Sequence, residues 1–259
     1  MKTNVSSYYS NDYDESNRHQ DPFGRIQEIR TRQLLLRYLG DRKSILDVGG
    51  ATGVYAFFLA DHGFDVSLID IAENHTRQAR QINAGRSHKL TDIIHADIQE
   101  IELANKYDAI ILHGPLYHIV DRPKRIKLLK KLSSILTPNG LILGFCINRY
   151  AGYFYGVRSG KILDRAYQKS VLNEIKTGVR HMAPGWYFHT PAEIVAEYEE
   201  ASLSVVAIKG VTSQIWMLPE VDQILSTNEG LEKIISLAEQ LEDSVDIGQD
   251  ILCVGQIKE

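Results

Sequence analysis

The sequence predicts a doubly wound α/β fold with a mostly parallel sheet. Three observations carry that expectation. Short apolar runs alternate with helix-compatible stretches over the first 147 residues, a glycine-rich turn joins the first apolar run to the next helical one, and three of the apolar runs end in aspartate. Alternation of this kind suits parallel strands covered by helices on both faces.

Taken in order, residues 1–21 are polar and irregular, and 26–39 forms an amphipathic helix with apolar residues at 26, 29, 34, 35, 36 and 39, closed by Gly40. Strand 44–49 is followed by a helix over 54–60. Strand 66–70 ends in Asp70, and a helix spans 72–84. Strand 93–97 ends in Asp97, and strand 107–112 runs into His113-Gly114-Pro115. A basic helix over 123–136 precedes the turn signal Thr137-Pro138-Asn139-Gly140 and strand 141–147. The rhythm then breaks into an aromatic- and glycine-rich stretch with helices near 151–158 and 161–177. It resumes with helix 191–201, strand 204–209, a helical stretch near 220–242 and strand 251–257. The expected organisation is an N-terminal arm and helix (1–40), a first half of the α/β domain (41–147), a lid insertion (148–190) and a second half (191–259).

Composition narrows the function classes. At 44% apolar and 24% charged residues the chain reads as globular, and its formal charge of −4 supplies no overall pull toward nucleic acid or an anionic membrane. The two cysteines, Cys146 and Cys253, lie in apolar runs without metal-ligand spacing, which suits buried thiols and predicts no metal site. No signal core and no apolar stretch of membrane-spanning length occur. A soluble cytoplasmic protein with no membrane partner is expected; nothing in the sequence bears on an oligomeric state.

The most informative segment is Asp47-Val48-Gly49-Gly50-Ala51-Thr52-Gly53. A dinucleotide loop of the form G-x-G-x-x-G lays a pyrophosphate on a helix N-terminus. Here Ala51 and Val54 replace the second and third glycines of that fingerprint, and Asp47 puts a carboxylate where a pyrophosphate would lie. A carboxylate suits a ligand carrying an ammonium group. In open parallel sheets ligands sit outside the carboxyl ends of the strands, where Asp47, Asp70 and Asp97 are expected. Asp70, 23 residues after Asp47, is placed to accept from both ribose hydroxyls. Each acid also has a plainer use, capping the following helix or shaping a turn.

On these residues the chain resembles the class I S-adenosylmethionine-dependent methyltransferases, whose first motif is approximately D/E-x-G-x-G-x-G. Ala51 stands where the second glycine usually stands, which brings a methyl group toward the cofactor. The resemblance implies a seven-stranded Rossmann-like sheet whose last strand enters antiparallel, with S-adenosylmethionine as cofactor. It implies that Asp97 accepts from the adenine amino group, that Ile98 contributes backbone contact, and that Asp47 and the backbone of Gly49, Gly50, Ala51 and Gly53 hold the methionine end. Ile71 is an apolar wall for the ring. The segment His113-Gly114-Pro115-Leu116-Tyr117-His118 resembles the G-P-L-Y-H segment of small-molecule methyltransferases of the ubiquinone/menaquinone-biosynthesis type. The Asn/Asp-Pro-Pro-Tyr/Phe sequence of DNA amino-methylating enzymes is absent.

Methyl transfer from a sulfonium is an in-line displacement, and a base helps when the acceptor is a hydroxyl. His118 is the expected base and Tyr117 its positioning neighbour, while His113 lines the cofactor pocket through its backbone; His118 packed against the next helix is the alternative. Aromatics of the insertion, chiefly Trp186, Tyr187 and His189, are expected to enclose the acceptor, with Tyr9 and Tyr13 closing the site from the N-terminal side. The cations of the 123–136 helix read as the solvated face opposite Ile126, Leu128, Leu129 and Leu132. The expected function is methyl transfer to oxygen, nitrogen or carbon of a small-molecule acceptor, with no nucleic-acid partner. The alternatives are an RNA or protein methyltransferase, a nucleotide-binding oxidoreductase and a ligand sensor without turnover.

Overall fold

Side chains at successive strand positions point to opposite faces, and in this protein both faces are buried. In β1 (Ser44–Val48) Ile45 joins one apolar cluster and Leu46 the other; in β4 (Tyr107–His113) Ile111 and Ile110 divide in the same way. The structure is a computed structural model that describes residues 5–11, 22–181, 184–215 and 221–257. Beyond β1 and β4, the parallel core contains β2 (Asp65–Asp70), β3 (Asp92–His95) and β5 (Leu136–Asn148), in the order β3-β2-β1-β4-β5. β9 (Asp250–Ile257) pairs antiparallel with β5 on one side and β8 (Leu203–Gly210) on the other. These seven strands make the sheet expected from the sequence, with the last strand entering antiparallel.

Two further short strands, β6 (Val179–Arg180) and β7 (Trp186–His189), raise the count to nine among the described residues. β7 pairs parallel with Ile147 and Asn148 of β5, while Ile147 meets Asp250 of β9 on its other edge. β7 therefore lies on the β4 side of β5, just past the carboxyl end of β4.

One face is covered by α2 (Pro22–Leu39) and α3 (Val54–Asp61), through Leu34, Leu35, Leu39, Tyr55, Phe57 and Leu59. The other is covered by α6 (Arg122–Ser133) and α9 (Pro191–Glu200), through Leu128, Leu129, Leu132, Ile194 and Tyr198. α4 (Glu73–Ala84) follows β2, and α5 (Pro115–His118) is a single turn after β4. The expected 220–242 helix is divided into α10 (Val221–Ile224) and α11 (Asn228–Gln240), because Thr227 caps α11 by accepting from the Gly230 N–H. Its apolar face docks on Ile26 of α2.

The insertion holds α7 (Ala151–Arg158), α8 (Arg165–Thr177) and the β6–β7 ribbon. Asp164 caps α8, so the expected 161–177 helix starts with a separate turn at Lys161–Leu163. Two other differences are local. The basic helix stops at Ser133, and Thr137–Gly140 is a bulge within β5, where the pairing with β4 skips from Leu136 to Leu141. Within the expected irregular arm, residues 5–11 form a helix, α1 (Val5–Asn11). Among the described residues, no helix is long and apolar enough to cross a membrane.

Candidate active site

The turn after β1 is held by backbone and by one carboxylate. The Gly49 N–H donates to Ile69 O at 2.8 Å, and the Gly53 N–H donates to Gly50 O at 2.8 Å. Gly49 has φ 77°, and a Cβ there would stand 2.9 Å from the His113 carbonyl oxygen, so only glycine lets the ends of β1 and β4 approach. Ala51 adopts φ 48° in the same turn, and its N–H donates to Asp70 Oδ2 at 2.9 Å. Asp70 Oδ1 accepts from the Ala72 N–H at 2.8 Å. Both oxygens thus brace backbone, and each keeps a second lone pair for a ligand.

Asp47 is 1% exposed, and neither carboxylate oxygen has a hydrogen-bond partner among the described residues. Burial, and then the charge of Asp70, push its pKa up to about 7. A Cβ on Gly50 would lie 2.6 Å from Asp47 Oδ2, so the carboxylate sits directly beneath the turn.

Above the turn opens a cleft with about 780 Å³ of empty space. Gly49 and Ala51 form its floor, Ile69, Asp70, Ile71 and His75 one wall, and Ala96, Asp97 and Ile98 another. His113, Gly114, Pro115, Tyr117 and His118 form the far side, and Val5 and Tyr9 of α1 roof it. Of the residues expected to hold the cofactor, Gly49, Ala51, Asp70, Ile71, Asp97, Ile98 and His113 therefore share one space. Asp47, Gly50 and Gly53 lie behind the turn instead of on the wall. The His113 ring is stacked between Tyr55 and Phe145, with centroids 5.4 and 4.5 Å away. Asp97 also caps its own turn, accepting from the Gln99 N–H at 2.8 Å.

At the far side His118 ends α5, and its Nε2 shares a 2.8 Å hydrogen bond with the Tyr9 hydroxyl. Trp186 of β7 lies 4.4 Å from the His118 ring and stacks on Tyr117 at 5.8 Å with an interplanar angle of 10°. Helix α1 is tied across this mouth: Ser6 Oγ donates to Ile71 O at 3.2 Å, and Asn74 Nδ2 donates to Tyr9 O at 3.1 Å. Tyr8 meets Trp186 edge-on at 6.5 Å.

The other two insertion residues expected at the acceptor face elsewhere. Tyr187 and His189 belong to a buried ionic cluster beneath β7. The Arg125 guanidinium lies 3.7 Å over the Tyr187 ring and donates to Glu197 through Nε and Nη2 at 2.9 and 2.6 Å. His189 Nε2 is 3.5 Å from Glu197 Oε2. Burial alone would raise the Glu197 pKa, but His189 and Arg125 outweigh it and hold the carboxylate below its usual range. Burial likewise depresses His189, against the pull of Glu197. The alternation of β7 decides this division: Trp186 packs on Tyr117 and His118 at the cleft rim, while Tyr187 and His189, on the opposite face, pack against Arg125 and Glu197. Tyr13 lies outside the described residues.

Two participants escaped the sequence reading. His75 lines the cleft, and its signal was a histidine in the first helical turn after a strand-end acid. Arg125 was hidden in a basic run, with no local mark to separate it from its solvated neighbours.

Residues 45–140 match the family described as Methyltransferase domain. The chain is similar to a ubiquinone biosynthesis O-methyltransferase of Coxiella burnetii, with 27% identity over 198 residues that cover 73% of this chain and 76% of the relative. It is similar also to the tRNA 5-carboxymethoxyuridine methyltransferase of Escherichia coli, with 26% identity over 183 residues, 68% of this chain and 66% of the relative. The solved structure of the magnesium protoporphyrin IX methyltransferase from Synechocystis PCC 6803, with bound SAH, superposes at a TM-score of 0.62 and 15% identity, covering 98% of each chain.

Proposed function

We propose that this chain, a class I S-adenosylmethionine-dependent methyltransferase, methylates a hydroxyl oxygen of a planar small molecule. S-adenosylmethionine supplies, when bound, a methyl group made electrophilic by its sulfonium. The residues present suit it. Asp70 accepts from the ribose hydroxyls with its remaining lone pairs, Asp97 and Ile98 meet the adenine, and Ile71 walls the ring. The carboxylate of Asp47, buried beneath Gly50 with no hydrogen-bond partner among the described residues, favours a positively charged group above the turn.

The observation that carries the acceptor assignment is the 2.8 Å hydrogen bond between His118 Nε2 and a phenolic hydroxyl, that of Tyr9. The imidazole thus already engages the functional group proposed as acceptor. An acceptor hydroxyl replaces Tyr9 there, and His118 takes its proton as the oxygen attacks. The parallel pair Tyr117 and Trp186 orients a flat ring beside it, and orientation is a large part of the rate in such a displacement. The similarity to an O-methyltransferase of Coxiella burnetii supports the same atom.

The test offers S-adenosylmethionine with a panel of phenols, catechols and amines, and reads products by a mass gain of one methylene. Phenols should be methylated, and His118→Ala should lower turnover by about a hundredfold while the affinity for S-adenosylhomocysteine stays near wild type. Methylation of amines alone, or full turnover in His118→Ala, would overturn the assignment.

A tRNA acceptor is the second reading, favoured by the name of the Escherichia coli relative. Against it, the cations of α6 are partly engaged: Arg125 is buried, Arg122 pairs with Glu200 and Lys131 with Glu102. Tight, salt-dependent binding of tRNA would favour it.

A further inference from the structure

His75 stands in the first turn of α4, five residues past Asp70, and is 3% exposed. Neither of its ring nitrogens has a hydrogen-bond partner among the described residues. Nδ1 stops 3.5 Å from Asp70 Oδ1, an oxygen already accepting from the Ala72 N–H. Tyr9 closes the space outside it, with ring centroids 5.8 Å apart. The ring nevertheless lines the cleft. Buried polar groups in folded proteins are nearly always partnered, because an unmet donor or acceptor keeps its full desolvation cost. A ring with two unmet nitrogens on a ligand cleft beside a carboxylate therefore points to a partner supplied by the ligand.

We infer that His75 is a cofactor-binding residue that shares a ribose hydroxyl of S-adenosylmethionine with Asp70. The inference rests on the cofactor assignment above and deepens it. A hydroxyl both donates and accepts, so one group satisfies both side chains: it donates to the Asp70 carboxylate and accepts from an imidazole N–H. The carboxylate alone would hold any sugar hydroxyl. The imidazole N–H adds a second hydrogen bond to the same oxygen, so the pair discriminates more strongly than the carboxylate alone against an analogue lacking that hydroxyl.

The experiment is calorimetric and needs no turnover. S-adenosylhomocysteine and its 2′-deoxy and 3′-deoxy analogues are titrated into the wild-type protein, His75→Phe and His75→Gln. His75→Phe should bind S-adenosylhomocysteine about five- to tenfold more weakly, should bind one of the deoxy analogues as well as wild type does, and should lose part of its defect in His75→Gln. Should phenylalanine not be accommodated beside Tyr9, His75→Leu removes the same N–H and carries the same expectation. Wild-type affinity in these variants, or an equal loss on all three ligands, would overturn the inference by leaving His75 a packing residue. Failure of the wild-type protein to bind S-adenosylhomocysteine would remove the cofactor assignment itself, a separate and recognisable result.

Discussion

At the ends of β1 and β2 two aspartates of the same type do opposite work. Asp70 braces the turn through Ala51 and the start of α4 through Ala72, whereas Asp47 is buried with neither oxygen hydrogen-bonded among the described residues. The consequence is a pH dependence whose sign follows from proton linkage. Asp47 holds its proton up to about 7 in the folded state, through burial and then the charge of Asp70. In the unfolded chain it releases the proton at an ordinary carboxylate value, so between roughly pH 4 and 7 the folded state binds more protons and stability falls as pH rises. Above that window the loss is complete. Asp47→Asn should therefore flatten the decline of melting temperature across the window; parallel declines in the two proteins would show that Asp47 does not carry it. The first motif marked Asp47 and the end of the second apolar run marked Asp70, but the sequence could not separate their roles. Which one reaches the cleft depends on the path of a turn in which Ala51 takes a left-handed conformation usually left to glycine.

Elements are joined at the acceptor side by a buried cation, Arg125. Arg125 Nη1 donates to the carbonyls of Ile119 and Val120, at 2.7 and 2.9 Å, just past α5, while its other nitrogens hold Glu197 of α9. Its guanidinium also covers Tyr187, the neighbour of Trp186. One side chain thus fixes the segment after His118 relative to the strand that carries Trp186. Arg125→Met should cost about 3–5 kcal/mol in urea unfolding, because the buried Glu197 loses its two guanidinium hydrogen bonds and keeps, among the described residues, only the more distant His189 and Arg122, and adding Glu197→Leu should restore much of it. A loss below 1 kcal/mol would show the cluster to be solvated. Periodicity found α6, though it carried the helix three residues too far, and assigned its apolar face, but it assigned every cation to solvent. Glu197 is 72 residues away in sequence, and no local pattern announces that pairing.

For the whole molecule, the strand order β3-β2-β1-β4-β5 reverses direction between β1 and β4, and the cleft opens at the carboxyl ends of these strands. The two buried clusters cover the faces of the sheet and leave this end for α1, α5 and β7 to enclose. A ligand that bridges the ends of β1, β2 and β4 is available only to the folded chain, so it stabilises the fold by mass action. S-adenosylhomocysteine at a hundredfold excess over its dissociation constant should add about 2.7 kcal/mol, read as a rise in melting temperature. An unshifted melt at saturating ligand would mean that the site does not require the assembled sheet.

What the amino-acid order determined by itself is the part written in short-range terms: the alternation that builds a two-faced parallel sheet, the glycine-rich turn after its first strand, and the acids placed at or just past three strand ends. These follow from backbone sterics and from periods of 2 and 3.6 residues, which span only a few neighbours. Tertiary structure alone decided which side chains share a wall. Tyr9 meets His118 across 109 residues of sequence, Trp186 packs on the cleft residue His118 while Tyr187 and His189 face the ionic cluster, and His75 is buried beside Asp70. Such meetings depend on how whole elements pack, and packing is set by the sum of all their contacts, which no single stretch of the chain contains.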